Sequence, residues 1–509
     1  MGKKTRVGVV GGGPAGLTAA YVLTRDSDAE VQVFERDAEH LGGLSRTARH
    51  GGYHFDIGGH RFFSKSAEIE ALWSEILPDD FLVRPRVSRI FYGGKFFSYP
   101  LRPFEALFKL GLWESARCVA SYFKRRLRPC PDPKNFKDWV SNQFGDRLFE
   151  IFFRTYTEKV WGMKCEEISS DWAAQRIKGL SLGVAIRHAF GRLLPFAAKR
   201  AEVKSLVETF RYPRKGPGMM WEACGARILQ RGGTIHRGCS VTQLDWNKSE
   251  WTIRGVDPSG RPVVSTVDHV ISSAPLRELA RSLSPALSPD VLCSADRLRY
   301  RDFLTVVVIL EDRRRFDDNW IYIHSPEVRV GRIQNFKSWS PEMVPDPTRA
   351  CYGMEYFCRQ DDDLWGGSDR DLLDLAAREL ETIGLAKASE VIDGCVVRQP
   401  KAYPVYDDGY QHNVDVLRRE LEDRFPSLHL AGRNGMHKYN NQDHAMMTGI
   451  LCARNILAGR RVFDVWSVNQ DAEYHEQASL KTAGSSASGL RLLPTRIDGS
   501  MEPTAGARE

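Results

Sequence analysis

The sequence predicts an α/β protein with a Rossmann-like dinucleotide-binding domain at its start, an inserted helical domain and an antiparallel β-sheet domain. A β-branched run leads into a glycine-rich turn within residues 6–16, which is typical of a Rossmann-like fold. Apolar residues recur every three or four positions from about 104 to 204, and strand-like runs dominate residues 300–425. The 509 residues are enough for two or three domains.

The glycine-rich turn has the spacing Gly-x-Gly-x-x-Gly. The first glycine permits a tight turn, the second lets a pyrophosphate approach the backbone, and the third lets helix and strand pack closely. The helix that follows would point its N-terminus at the phosphates. The cofactor contacts expected in this turn are Gly11, Gly13, Pro14, Ala15 and Gly16.

A second strand over residues 31–34 places Glu35 and Arg36 beside the turn. An acid at the end of this strand can hydrogen-bond the hydroxyls of a ribose. Strand, glycine turn, helix, strand and acid in this order predict a dinucleotide site. The alternative is a glycine-rich turn that binds no ligand.

A glycine pair, Gly42 and Gly43, follows Glu35 after a short interval. It resembles the extended fingerprint of the amine oxidase-like flavoproteins, and this resemblance implies FAD rather than NAD. The residues expected to contact FAD in this loop are Gly42, Gly43, Leu44 and Ser45. The alternative is an ordinary glycine loop.

A second glycine pair, Gly58 and Gly59, leaves room for a flat ring. His60 follows the pair directly, and we expect its imidazole to hydrogen-bond a flavin edge or a substrate oxygen. A single histidine is more often structural, but its place behind this pair favours a position beside the isoalloxazine.

The composition is that of an ordinary globular protein, with 42% hydrophobic and 27% charged residues. No apolar run reaches the roughly 18–20 residues of a spanning helix, and no signal peptide or nucleic-acid-binding motif is recognised. Ten cysteines without metal-ligand spacing favour reduced thiols and no bound metal. We therefore expect a cytoplasmic protein.

Two basic amphipathic stretches, 109–128 and 181–204, lie within the helical region. Such stretches can rest on an anionic membrane, although a solvated helix face is the more frequent explanation. Peripheral membrane contact and a homodimer both remain open at this point.

The segment 154–162, Arg-Thr-Tyr-Thr-Glu-Lys-Val-Trp-Gly, resembles the Tyr-Thr-Glu-Lys-x-Trp-Gly motif of the UDP-galactopyranose mutases. These flavoenzymes interconvert pyranose and furanose sugar nucleotides. The resemblance implies that Trp161 and Tyr156 contact the substrate and that Arg176 binds its diphosphate.

Three later stretches continue this resemblance. Residues 330–333 correspond to the family's Thr-Arg-Ile, which makes Arg332 the second diphosphate ligand, and Tyr403 lies in a Tyr-Pro-Val motif facing the substrate. The last stretch matches the family at Gly432, Arg433, Lys438, Tyr439 and Asp443. There Asn440 and Asn441 replace a Tyr that touches the diphosphate and an Asp beside it.

The resemblance implies a sugar-nucleotide mutase in which reduced flavin N5 is the nucleophile at the anomeric carbon. NAD(P)H is the external reductant considered, and the substrate is a nucleoside-diphosphate sugar or a related phosphorylated sugar. The residues assigned to catalysis are His60, Arg176 and Arg332; those to substrate are Trp161, Tyr156, Tyr403, Tyr439, Asn440 and Asn441. Further FAD contacts are expected at Gly58, Gly59, His60, Val241, Gly432, Arg433, Asp443 and Met446.

Three alternatives stay open. The shared FAD fingerprint also fits an oxidoreductase of the amine oxidase or desaturase type, which works by hydride transfer. A mutase-like enzyme acting on a lipid-linked sugar would give the basic helices a role. A flavin-binding scaffold without catalysis is the third alternative.

The predicted fold is therefore a Rossmann-like FAD-binding domain with an inserted helical domain and an antiparallel sheet that binds substrate. The FAD-binding domain is expected over 1–75, 206–275 and 426–460, the substrate sheet over 76–103 and 276–425, and the helical insertion over 104–205. Residues 461–509 form a C-terminal extension, expected to be disordered from about 478.

Overall fold

The computed structural model describes residues 4–170, 205–206, 209–313, 315–469 and 477–478. At its centre is a five-stranded parallel sheet, which the buried β-branched runs of the sequence form as expected. Its strands in spatial order are Thr234–Arg237, Glu30–Glu35, Arg6–Val10, His269–Ser272 and Leu428–Leu430.

Helix α1 (Pro14–Asp26) follows the first strand and packs on the sheet. The helix Gln442–Leu457 near the end of the described chain packs against α1 so closely that a Cβ on Gly449 would lie 2.2 Å from the carbonyl oxygen of Ala15. The middle of this helix therefore crosses the first turn of α1.

A seven-stranded sheet forms the second layer. Its strands in spatial order are Val391–Pro404, Tyr300–Glu311, Arg349–Cys358, Arg332–Asn335, Trp320–Ile323, Ser88–Tyr92 and Lys95–Ser98. The sheet is antiparallel except between Trp320–Ile323 and Ser88–Tyr92, which pair in parallel. This pairing joins two distant parts of the chain, and strand patterns alone do not show it.

Smaller sheets complete the β-structure. A four-stranded sheet contains Pro262–Val267, Trp251–Val256, Ser240–Trp246 and Leu283–Ser284. Three two-stranded sheets pair Thr47–His50 with Tyr53–Asp56, Phe81–Pro85 with Thr209–Pro213, and Ser205–Leu206 with Gln477–Ala478.

The helical region contains α2 (Pro103–Leu110), α3 (Leu112–Leu127) and α4 (Thr155–Trp161). It also includes the helices Phe136–Phe144 and Asp146–Phe149 and a π-helical turn, Glu150–Arg154. Arg176 and the basic stretch 181–204 lie outside the described residues. The mixed α/β fold with a Rossmann-like parallel sheet is confirmed, whereas the exact domain boundaries stay predictions.

We name the helix Gln442–Leu457 α5, since it frames the site described below. The remaining helices are Ala67–Ile76, Gly218–Gln230, Leu276–Ser282, Pro289–Arg297, Phe336–Trp339, Asp363–Gly366, Asp369–Ile383, Tyr410–Arg424 and Gly432–Gly435. Short 3-10 turns are Gly43–Ser45, Pro341–Met343, Ala388–Glu390 and Val465–Ser467. Within the described ranges, no helix is both long and apolar enough to span a bilayer.

Candidate functional site

The glycine-rich turn lies at the C-terminal edge of the parallel sheet. Gly11 adopts a φ of 102°, a conformation that side chains other than glycine rarely take, and a Cβ on Gly16 would lie 2.0 Å from the carbonyl oxygen of Gly11. The backbone amide of Gly12 donates to Glu35 Oε2 at 2.6 Å. Glu35 therefore lies against the turn, where an acid can reach a ribose.

The backbone at Gly13 and the backbone at Gly43 face each other beside this turn. Gly13 is the N-cap of α1, no described side chain caps the helix, and its first turn holds no acidic residue. A Cβ on Gly43 would lie 3.2 Å from the Cα of Gly13. Glycines on both walls and an uncapped helix N-terminus form a cradle that fits a pyrophosphate.

The loop that carries Gly43 is fixed by backbone hydrogen bonds. Gly42 adopts a φ of 106° and its amide donates to the carbonyl oxygen of Gly12 at 2.8 Å. Ser45 is buried, and Leu44 lines the larger cleft described next. The loop thus connects the predicted pyrophosphate cradle to that cleft.

A cleft of about 1150 Å³, including its open mouth, lies between the parallel sheet and the seven-stranded sheet. It brings together ten residues that the sequence predicted for the site: Leu44, Gly58, Gly59, His60, Arg332, Tyr403, Arg433, Tyr439, Asn441 and Asp443. Lining residues that sequence reasoning missed are Ile57, Arg61, Phe63, Phe303, Tyr322, Gln399, Ala402 and Gln442. Of these, four directly adjoin predicted residues in the sequence, which was a usable signal: Ile57, Arg61, Ala402 and Gln442.

His60 lines the cleft close to Arg332. A Cβ on Gly58 would lie 3.8 Å from both the His60 ring and the Arg332 guanidinium. Burial, and secondarily the charges of Arg433 and Arg332, lower the pKa of His60 to about 3. The imidazole is therefore neutral at physiological pH, and its buried Nδ1 has no hydrogen-bond partner among the described residues.

Arg332 is held by an acid that the sequence analysis did not identify. Its Nε donates to Glu355 Oε2 at 2.5 Å, and the fully buried Glu355 also accepts a hydrogen bond from Gln334. Burial raises the pKa of the Glu355 carboxyl. Burial is the largest single effect and lowers the pKa of Arg332, but the Glu355 carboxylate and the surrounding tyrosines together outweigh it, so that pKa is raised. The sequence signal that could have identified Glu355 is its place as the single acid in the largely apolar strand Arg349–Cys358.

Arg433 contacts two tyrosines that also line the cleft. Tyr403 and Tyr439 stack with ring centroids 5.6 Å apart, and the Arg433 guanidinium lies 5.3 and 4.8 Å from the two centroids. Arg433 also donates to the backbone carbonyl oxygens of Ala402 and Asn440. These contacts fix the orientation of the guanidinium.

The two asparagines that interrupt the mutase resemblance differ in position. Asn440 is 2% exposed, and its side chain donates to the carbonyl oxygen of Gly432 while its own carbonyl oxygen accepts from Arg433. Asn440 therefore does not line the cleft, contrary to a direct role in substrate binding. Asn441 lines the cleft as the N-cap of α5.

Asp443 lines the cleft in the first turn of α5. It is 4% exposed, and burial raises the pKa of its carboxyl to about 7. Its buried Oδ2 has no hydrogen-bond partner among the described residues. The carboxyl is therefore able to exchange a proton with a molecule in the cleft near neutral pH.

Several predicted residues lie away from the cleft surface. Trp161 is 3% exposed in a cluster with Tyr403 and Tyr439, and Tyr156 stacks on His324 at 5.0 Å. Neither is among the residues that line the cleft. Met446 is fully buried against Trp73, and Val241 lies in the strand Ser240–Trp246. Arg36 is exposed, and Gly432 contacts Ala15.

One known protein family matches this chain over most of its length. The family model described as "Flavin containing amine oxidoreductase" matches residues 14–457, from the glycine-rich turn to the end of α5. The chain belongs to this family. FAD is therefore its cofactor, as predicted.

Two curated relatives from different species share a name. Coproporphyrinogen III oxidase of Mycobacterium tuberculosis (strain ATCC 25618 / H37Rv) is 43% identical over 453 residues, covering 83% of this chain and 91% of the relative. The same-named protein of Mycobacterium leprae (strain TN) is 42% identical over 454 residues, covering 83% and 92%.

Solved structures share the fold. Reduced UDP-galactopyranose mutase superposes with a TM-score of 0.78 at 20% identity, covering 93% of this chain and 100% of the mutase chain. Putrescine oxidase bound to putrescine gives 0.60 at 16% identity, covering 90% and 99%. Likeness at these identities shows the fold alone. The amine oxidase-like fold is thus confirmed, and the narrower resemblance to the mutases stays a prediction.

The residues on the cradle and in the cleft fit FAD. The cradle formed by Gly13, Gly43 and the α1 N-terminus suits its pyrophosphate, and Glu35 suits its ribose. In the cleft, the unpartnered Nδ1 of His60 and Oδ2 of Asp443 provide hydrogen-bonding groups for a flavin ring or a substrate beside it.

The Asp443 carboxyl makes the stability of the FAD-free protein depend on pH. Its folded-state pKa, about 7, lies above the usual value of 3.8, so its stabilising contribution is complete below pH ~4 and is lost as pH rises through 7. We expect Asp443→Asn to raise the unfolding free energy at pH 8 by about 4 kcal/mol, with little change at pH 4. Thermal unfolding at both pH values checks this, and equal effects at both would contradict it.

Proposed function

We propose that this protein is an FAD-dependent oxidoreductase that oxidises an anionic substrate in the cleft. The observation that carries this proposal is Asp443, a buried carboxyl that titrates near neutral pH in a cleft lined by three arginines. Oxidation of a carbon–nitrogen unit removes a hydride and a proton, so it needs a proton acceptor.

The residues of the cleft have separate roles in this proposal. FAD, when bound, supplies the two-electron acceptor for the hydride. Arg61, Arg332 and Arg433 bind the acidic groups of the substrate, because guanidinium groups pair with carboxylate or phosphate oxygens two at a time. Asp443 accepts the proton, and neutral His60 orients substrate or cofactor by hydrogen bonding. An external acceptor then takes the electrons.

The names of the curated relatives support a porphyrinogen as the first substrate to test. Coproporphyrinogen III carries carboxylate groups that match an arginine-lined cleft. It also has methylene bridges between its pyrrole rings. Loss of a hydride from a bridge carbon and of a proton from a pyrrole nitrogen creates a double bond there. The name belongs to the relatives, and its transfer to this chain is part of the proposal.

The proposal predicts how activity depends on pH. Asp443 accepts a proton only when it is deprotonated, so the turnover of the wild type should rise as pH increases through about 7. Asp443→Asn should lower kcat by roughly 10²–10⁴-fold and abolish this rise. Steady-state oxygen consumption with coproporphyrinogen III measures both.

The control for this experiment is the FAD content of the variant, read from its visible absorbance. Gln442→Asn, at the neighbouring position that also lines the cleft, should keep the wild-type pH profile. A normal pH profile in Asp443→Asn with full FAD content would mean that another group accepts the proton.

A second candidate, a mutase acting on a nucleoside-diphosphate sugar, is favoured by Arg332 and Arg433. These arginines lie in one cleft with the stacked Tyr403 and Tyr439, an arrangement that also suits a diphosphate and a sugar. Arg176, the other predicted diphosphate ligand, lies outside the described residues. Under this candidate, UDP should bind the holoenzyme tightly, whereas under the proposed oxidation it should compete poorly with a porphyrinogen.

A further inference from the structure

Helices α2 and α3 expose an unusual number of large apolar side chains. Thirteen such side chains are exposed in the described part of the chain, and six of them lie between positions 104 and 127. We call these six the apolar face: Phe104 (61% exposed), Phe108 (88%), Leu112 (93%), Trp113 (78%), Phe123 (57%) and Leu127 (83%). Exposed clusters of this kind mark interaction surfaces rather than ordinary surface variation.

The helix geometry gathers these side chains on one side. Phe104 and Phe108 are one turn apart on α2, and Gly111, with a φ of 86°, turns the chain directly into α3. On α3, Trp113, Phe123 and Leu127 share one face with the exposed Ala116 and Ala120, because their spacings of three, four and seven follow the helical repeat.

The opposite side of these helices is fixed to the protein. Ala106 of α2 and Cys118 of α3 are buried in a cluster with Phe97 and Phe152, and Tyr322, which lines the cleft, packs against the same cluster. The apolar face is therefore the outer surface of a packed helix pair, located on the side of the molecule that carries the Tyr322 wall of the cleft.

Positive charge borders the apolar face. Residues 103–128 contain six basic and two acidic residues, and both acids are engaged, Glu105 with Lys109 and Glu114 with Arg117 and Arg147. Lys124, Arg126 and Arg128 are exposed at the end of α3, and none of them forms an ion pair with a described residue.

We propose that the apolar face docks the protein on an anionic lipid bilayer. Aromatic and leucine side chains bordered by lysine and arginine are the pattern of helices that lie in the interface of a membrane, where anionic headgroups attract the basic residues. A second copy of this chain fits the surface less well, because a symmetric contact would bring the two basic borders together. This inference is independent of which substrate the cleft accepts.

The test is vesicle flotation with the full-length holoenzyme. The wild type should float with vesicles of phosphatidylcholine mixed with phosphatidylglycerol and remain unbound with phosphatidylcholine alone. Phe108→Ser, Trp113→Ser and Leu127→Ser, combined in one variant, should weaken binding to the mixed vesicles at least about tenfold. Lys124→Gln, Arg126→Gln and Arg128→Gln, combined, should weaken it similarly, and added salt should weaken wild-type binding.

A matched control replaces three exposed apolar residues elsewhere: Val83→Ser, Val264→Ser and Ile392→Ser, at positions 71%, 56% and 54% exposed. This variant should bind vesicles like the wild type. Failure of the wild type to float, or equal flotation of all variants, would overturn the proposal. It would also be overturned by a wild-type dimer that the serine substitutions dissociate, or by a loss of thermal stability in the Phe108, Trp113 and Leu127 variant well beyond that of the control.

Discussion

Gly13→Ala is expected to weaken FAD binding by about ten- to a hundredfold while leaving the fold intact. Gly13 has extended backbone angles that alanine also adopts, and a Cβ there would find only the Cα of Gly43 within 4 Å, at 3.9 Å. The methyl group therefore fits the protein but fills the cradle in which the pyrophosphate approaches the backbone. FAD content and the dissociation constant measured by flavin fluorescence check this.

The matched control for this substitution is Gly366→Ala. A Cβ at Gly366 meets nothing within 4 Å, so this variant should bind FAD like the wild type. The unfolding temperatures of the two FAD-free variants should agree. Wild-type FAD affinity in Gly13→Ala would mean that the pyrophosphate lies elsewhere, and a large loss of stability would mean that the turn itself was damaged.

Arg332→Met is expected to destabilise the protein by about 3–5 kcal/mol and to abolish substrate binding. The stability effect follows from Glu355, which is fully buried and would lose its cationic partner. The binding effect follows because Arg332 lines the cleft beside His60. Denaturant unfolding and substrate titration measure the two effects separately.

A second substitution separates these effects. Glu355→Gln in the Arg332→Met background removes the unpaired charge, so it should recover most of the stability without restoring substrate affinity. If the double variant also binds substrate normally, Arg332 acts only as a structural partner of Glu355. If Arg332→Met alone is as stable as the wild type, Glu355 is not charged in the folded protein.

Local patterns predicted the FAD-binding half of the structure well. The glycine turn, the strand that delivers Glu35 and the loop at Gly42 each depend on neighbouring residues, so a short stretch of sequence determines their geometry. Ten predicted residues also meet in the cleft, because the second glycine pair and the motifs around Arg332, Tyr403 and Arg433 lie at strand ends and turns that face it. The helical motif with Trp161 does not line the cleft.

The parts that sequence reasoning missed depend on long-range contacts. The pairing of Arg332 with Glu355 joins two strands of the large sheet, and no local pattern shows which acid an arginine will meet. Asn440 was expected at the substrate, but it turns inward and supports Arg433 instead. The pKa of Asp443 likewise results from burial by surrounding elements, which a carboxyl in a motif does not reveal.

The most direct test of the proposed oxidation is to determine which redox state of the flavin turnover requires. Coproporphyrinogen III mixed anaerobically with the oxidised holoenzyme should bleach the flavin absorbance in a single turnover, and oxygen should restore it. UDP-galactopyranose should cause no bleaching and should not be converted by the dithionite-reduced enzyme. Conversion of the sugar nucleotide by the reduced enzyme alone, with no net use of reductant and no bleaching by the porphyrinogen, would contradict the account.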